Sequence, residues 1–244
     1  MVEWFENLSS DIYRIMVKDG RIDMLTNGLV NTLIITAGAL LIGIILGIVV
    51  AAVRVSWDKQ KDEMKMRGGI GYYILGFFNG LCKVYLTVIR GTPVVVQLMI
   101  FFFVIFVSVK DGMPIAMLAF GINSGAYVAE IFRGGIMSID QGQFEAGRSL
   151  GFNYVQTMAH IIIPQAFKSV LPTLCNEFIT LLKETSVAGY VGVIDLTKAG
   201  NTIAGRMYTY FIPLISVALI YLAMVMILTY FVGRLERRLR KSER

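Results

Sequence analysis

The sequence predicts an all-α integral membrane protein with about five transmembrane helices, on three observations. Hydrophobic residues make up 56% of the 244 positions and charged residues only 16%, where an ordinary soluble domain carries about 25% charge. Mean hydropathy is +0.66. Several apolar stretches also approach the roughly 20 residues that a helix needs to cross a bilayer, and the lysines and arginines behind the net charge of +6 gather between and after those stretches. Cytoplasmic loops collect cations in that way. No basic stripe interleaved with stacking aromatics is present, so nucleic acid is not an expected partner.

Residues 1–27 are expected to form an extracytoplasmic amphipathic segment. Trp4, Phe5, Leu8, Ile12 and Ile15 recur at near-helical spacing, as in helices that lie on a membrane surface. No short apolar run ends in a small-residue cleavage site, so no cleavable signal peptide is expected. The transmembrane domain covers residues 28–233. Its first span, 28–53, has no charge, and Gly43 and Gly47 form a GxxxG pair that admits a close neighbouring helix. Residues 54–69 are rich in charge and read as a loop. A second crossing is expected over 84–107, kinked where Gly91-Thr92-Pro93 falls inside it. The third runs over 114–136 and the fourth over 161–188. Between them, residues 138–160 are polar. Residues 189–210 read as an external segment. The fifth span is 211–232, and 234–244 is a basic tail with Arg234, Arg237, Arg238, Arg240, Lys241 and Arg244. Placing both basic segments in the cytoplasm puts the N-terminus outside and the C-terminus inside.

Polar residues inside the spans are candidates for a substrate pathway. Asn123, Tyr127 and Glu130 share one face of the third span, and Asn176, Thr180 and Glu184 share one face of the fourth. Gln97 and Arg90, seven apart, lie on one face of the second. Each set has a plainer reading. Glu130 and Arg133 are spaced to pair on their own helix, the fourth-span stripe equally suits helix–helix contact, and Arg90 can snorkel to headgroups. His160 is the only histidine and reads as a surface or capping residue. Cys82 and Cys175 read as two buried thiols, with no metal site. The sequence has no phosphate loop of the G-x-x-x-x-G-K-[ST] type and no Ser-His-Asp or Cys-His constellation, so no enzyme activity or cofactor is expected on this chain.

The most informative stretch is Glu145-Ala146-Gly147, then Gly151, then Ile161-Ile162-Ile163-Pro164. This resembles the hallmark loop of ABC-importer permeases: E-A-A, three residues, G, nine residues, I-x-L-P. Gly147 replaces the usual second alanine and Ile163 the usual leucine. The segments 89–93, 129–135, 182–186 and 196–200 are similar to those of the polar-amino-acid subgroup, so the resemblance covers about residues 28–235. It implies the type I ABC-importer permease fold, with a coupling loop over about 138–164 in which Glu145, Ala146, Gly147, Gly151, Ile161 and Pro164 meet a cytoplasmic ATPase subunit. On this reading Ala146, Gly147 and Gly151 keep the docking helix slim, and Glu145 accepts from first-turn donors or pairs with a partner's base. Magnesium ATP would sit on that partner. An extracytoplasmic substrate-binding protein and a second permease subunit, identical or related, complete the expected assembly in the bacterial cytoplasmic (inner) membrane. The alternatives are an ion-coupled secondary transporter, or an ABC permease for another small polar solute.

Overall fold

A computed structural model describes residues 13–241. Of the five residues that carry the expected amphipathic segment 1–27, Trp4, Phe5, Leu8 and Ile12 lie outside the described residues; only Ile15 is described, and it is buried. Helix α1, Arg21–Arg67, is continuous over 47 residues. It begins inside the segment assigned to the N-terminal region and runs through residues 54–67, which therefore form a helix and not a loop. No glycine or proline interrupts residues 48–67, and the lysine, glutamate, methionine and arginine there are strong helix formers. Glu63 and Arg67 add an i,i+4 ion pair at 2.8 Å.

Helix α2, Ile70–Gly91, is followed by α3, Val94–Ile100, whose chain winds on to Ile105 as a wider π turn. The single kinked crossing expected over 84–107 is thus two helices. Thr92 is extended, with φ −123° and ψ 147°, the conformation that a following proline favours. Pro93 offers no N–H to continue the ladder. Next come α4, Gly112–Met137; α5, Gln141–Ser149; α6, Tyr154–Thr157; and α7, Ile163–Glu184, reached through the π turn Met158–Ile162. A 3₁₀ segment, Thr185–Val191, leads to α8, Leu196–Met207, and then to α9, Phe211–Lys241, which carries the start of the basic tail as helix.

Among the described residues, four helices are long and apolar enough to cross a membrane: α1, α2, α4 and α9. Helix α7 matches their length at 22 residues, about 33 Å, but carries Lys168, Glu177, Lys183 and Glu184. Exposure runs opposite to that of a water-soluble protein. Phe77, Phe78, Leu81, Val84 and Val88 of α2 and Leu219, Leu222, Met226 and Ile227 of α9 are all exposed. Apolar surface on this scale belongs against lipid or protein.

The chain divides into two compact units. One comprises residues 1–39, 94–120 and 179–230. Its core gathers Ile15 and Leu25 with Leu196, Ala199, Ile203 and Val217. Here the buried Asp195 caps α8, accepting from the Thr197 and Lys198 N–H groups at 3.0 and 3.2 Å. Burial pushes its carboxyl above the ordinary range, and those donors oppose the shift. The Leu196 N–H donates to Thr32 at 3.1 Å, and Asn31 donates to the Ile194 carbonyl at 2.9 Å.

The other unit comprises residues 40–93, 121–178 and 231–244. Gly43 and Gly47 let α1 lie against Ser124, Gly125 and Val128 of α4, the close approach expected of the GxxxG pair. Below it, Val55, Ile136, Phe144, Ile162 and Ala166 form a second core that seats the loop between α4 and α7. Cys82 and Cys175 are free thiols, half-buried and not fully buried.

Candidate functional site

The loop between α4 and α7 is built by local capping. Asp140 opens α5 by accepting from the Gly142 N–H at 2.6 Å. Gly151 closes it with φ +82°, while the Phe152 N–H returns to the Gly147 carbonyl at 3.1 Å. A Cβ at Gly151 would meet nothing within 4 Å. Glycine is therefore needed there for its left-handed backbone, and no described atom of this chain requires it to be small. A reciprocal capping box follows, Asn153 with Gln156 at 2.9 and 3.0 Å. The π turn after α6 widens the helix where Pro164 would otherwise crowd the preceding turn.

Helix α5 has two faces. Phe144 and Gly147 are buried; Glu145, Ala146 and Arg148 are exposed. Gly147 is where α5 touches the next helix. A Cβ there would sit 2.7 and 2.8 Å from Cγ2 and Oγ1 of Thr157. Its small size thus serves the inside of the loop and not the outward face. Glu145 is the fifth residue of α5 and Asp140 already satisfies the first turn, so Glu145 does not accept from first-turn donors. Ile161 is half-buried against the second core, and Pro164 is exposed in the first turn of α7. Three exposed apolar side chains follow α5 in the chain, Leu150 at 73%, Phe152 at 36% and Val155 at 70%, and Val155 also lines an apolar cavity of about 500 Å³ with Val55, Phe132 and Ile136.

The helical run 54–67 of α1 buttresses this loop. Lys59 donates to the Gln141 side chain at 3.0 Å and lies 4.0 Å over the Phe144 ring. Arg148 lies 3.4 Å from Glu63. The Tyr154 phenol reaches Ser56 and Gln60; burial raises its proton affinity, and these two hydrogen bonds oppose the shift. A cleft of about 190 Å³ remains between the elements, lined by Lys59, Glu145, Arg148 and Tyr154 among others.

The pathway candidates separate into distinct environments. Glu130 accepts from Arg133 at 3.0 Å, and Arg133 also approaches Asp58 at 3.5 Å, which gives Glu130 a structural partner. Arg90 stands 5.4 Å from the Tyr127 ring, within cation–π range. Asn123 and Gln97 are buried. The break at Thr92–Pro93 puts Arg90 and Gln97 on different helices, so the shared face expected of them is lost. On α7, Asn176 and Thr180 are exposed and Glu184 is half-buried. The exposed polar stripe is longer than the sequence reading: Ser169, Thr173, Asn176, Thr180 and Lys183 recur at alternating spacings of four and three.

Comparison with known proteins decides the family. Residues 43–241 match the model described as binding-protein-dependent transport system inner membrane component. The chain belongs to this family. It is similar to the arginine transport system permease protein ArtQ of Bacillus subtilis (strain 168), 35% identical over 91% of this chain and 95% of that protein. It is also similar to the glutamine transport system permease protein GlnP of Escherichia coli (strain K12), 37% identical over 66% of this chain and 76% of that one. Among solved structures it resembles a crystal structure of an amino acid ABC transporter with histidines. There the identity is 35% and the TM-score 0.77, over 89% of this chain and 94% of the other. The chain is thus a membrane-embedded permease component with the ABC-importer permease fold, which sets aside the ion-coupled carrier.

Within this permease, the spaced motif locates α5 and Gly151, but five other residues of the site are not visible in the sequence. Lys59 and Glu63 were hidden because a charged run reads equally as a loop. Leu150 and Val155 were hidden because apolar residues in a polar stretch ordinarily read as core. The three- and four-residue spacing of residues 56, 59, 60 and 63, one helical face, was the signal available. Glu177 was also passed over; it accepts from the buried Ser124 at 2.8 Å.

Proposed function

We propose that this chain is the permease subunit of an ATP-driven importer for a polar amino acid, and that the α5–α6 surface receives the ATPase on the cytoplasmic side. One observation carries the reading: Leu150, Phe152 and Val155 stand exposed in the short segment that follows the exposed Glu145 in the chain. Large apolar side chains left exposed in one short segment mark a protein contact. The basic clusters at residues 54–67 and 234–241 support a cytoplasmic position for this side, with the N-terminus outside. Two relatives are named for arginine and glutamine transport, which supports a polar amino acid as cargo.

ATP and Mg²⁺ belong to the ATPase subunits, and an extracytoplasmic binding protein delivers the amino acid on the opposite side. The exposed polar stripe of α7 is costly against lipid and is matched by a second permease subunit and a water-filled path. Asn176 and Thr180, both exposed on α7, face that path. Closure of the ATPase pair moves α5 as a rigid body, because Phe144 and Gly147 lock it into the second core.

The test is to express the complex with Leu150→Asp and Val155→Asp together. ATPase copurification is expected to fall by at least tenfold while the permease still extracts as a folded protein. Full retention of the ATPase would refute the docking surface.

A further inference from the structure

Residues 54–67 of α1 continue the first membrane helix without interruption by about 20 Å. One face of this extension carries Ser56, Lys59, Gln60 and Glu63, which meet Tyr154, Gln141 with Phe144, Tyr154 again and Arg148. Asp58 meets Arg133 at the end of α4. The other side is braced by α2: Trp57 lies 5.3 Å from the Tyr72 ring, and Arg54 donates to Asn79 at 2.6 Å. Besides its continuation from α4, the loop therefore has two further attachments to the membrane helices. One is its own continuation into α7; the other is lateral, onto α1.

We propose that residues 54–67 are a transmission arm, through which movement of α5 is passed directly to the first membrane span, with Lys59 and Glu63 as the positioning residues. This rests on the reading that α5 receives an ATPase. Lys59 is the principal link. Its ammonium donates to a neutral amide and makes a ring contact at once, both on α5, and Phe144 is itself only 7% exposed. The Glu63–Arg148 pair is more open, at 41% and 60% side-chain exposure. Surface pairs of that kind are weak when simply deleted, so reversing a charge is the sharper probe.

The experiment uses the full complex with its binding protein, reconstituted in liposomes with the ATPase facing out and the binding protein and radiolabelled amino acid enclosed. Three quantities are read: ATPase bound per permease, ATP hydrolysed, and amino acid transported per ATP. Lys59→Met is expected to keep the ATPase bound and hydrolysis within twofold, while transport per ATP falls at least fivefold. Lys59→Arg, which keeps the cation over Phe144, is expected to stay within twofold of wild type. Glu63→Arg and Arg148→Glu are each expected to lower transport per ATP, and their combination to restore it. Unchanged transport per ATP in Lys59→Met, loss of the bound ATPase in that variant, or a charge exchange no better than its parents would each overturn the arm. Should Lys59→Met not fold, the charge exchange alone decides. Failure of the ATPase to copurify with the wild-type permease would instead overturn the docking reading beneath it.

Discussion

Substituting Gly147 with alanine would install the residue usual at this place in the family, and the structure predicts that this chain rejects it. In an exposed helix interior the change is worth about 1 kcal/mol in favour of alanine. Here the new methyl would sit 2.7 and 2.8 Å from two atoms of Thr157. Thr157 is β-branched and only 2% exposed, so it cannot turn both branches away. Overpacking of this kind costs about 1–3 kcal/mol, which leaves a net loss of about 1 kcal/mol. In a chain of this size that lowers the melting temperature by about 2–4 °C. The compensating change is Thr157→Ala. It vacates the space and removes a buried hydroxyl that has no hydrogen-bond partner among the described residues, itself a cost of about 1–3 kcal/mol. Melting of the detergent-solubilised permease, followed by intrinsic fluorescence for wild type, both single variants and the double, is the assay. The double variant should melt within about 1 °C of wild type or above it. If Gly147→Ala alone is as stable as wild type, or the double as unstable as Gly147→Ala, the contact does not govern this site.

Further predictions address the caps and the ion cluster. Gly151→Ala should cost about 1 kcal/mol through its positive φ alone, and Gly151→Asn less; melting temperature separates the two. Asp195→Ala should lose about 1 kcal/mol with the α8 cap, whereas Asp195→Asn should retain it. Because burial raises the folded-state pKa of Asp195, the native state holds this proton more tightly than the unfolded chain. Wild type should therefore gain stability relative to Asp195→Asn as pH falls from above that raised value towards the ordinary carboxylate range. Glu130→Gln should leave Arg133 held by Asp58 and keep uptake within about threefold; a loss beyond tenfold would return Glu130 to the substrate path.

The apolar spans were legible because their runs are long and their ends carry charge. The third span, read as 114–136, is Gly112–Met137, and the last, read as 211–232, is the apolar part of Phe211–Lys241. The extension of α1 was not legible. Asp58, Lys59, Glu63 and Arg67 suit a solvated helix and a loop alike, and only their partners on α4 and α5 fix the choice. Pro93 announced a disturbance but not its size, since a kink and a break share the same missing donor. The spaced motif located α5, but not the local reasons for its glycines. One is set by backbone handedness and the other by a contact with Thr157, which no single sequence displays. The exposure of Leu150 and Val155 depends on which sides of two short helices face the core, and tertiary contacts such as the seating of Phe144 and Thr157 decide that.

The most direct measurement is labelling at position 155. With Cys82 and Cys175 replaced by serine and Val155 by cysteine, a membrane-impermeant maleimide is applied to inside-out vesicles, with and without the ATPase subunits. Strong labelling in stripped vesicles that falls at least fivefold when the ATPase is restored is the expected result. Labelling only from the external face, or labelling indifferent to the ATPase, would contradict it.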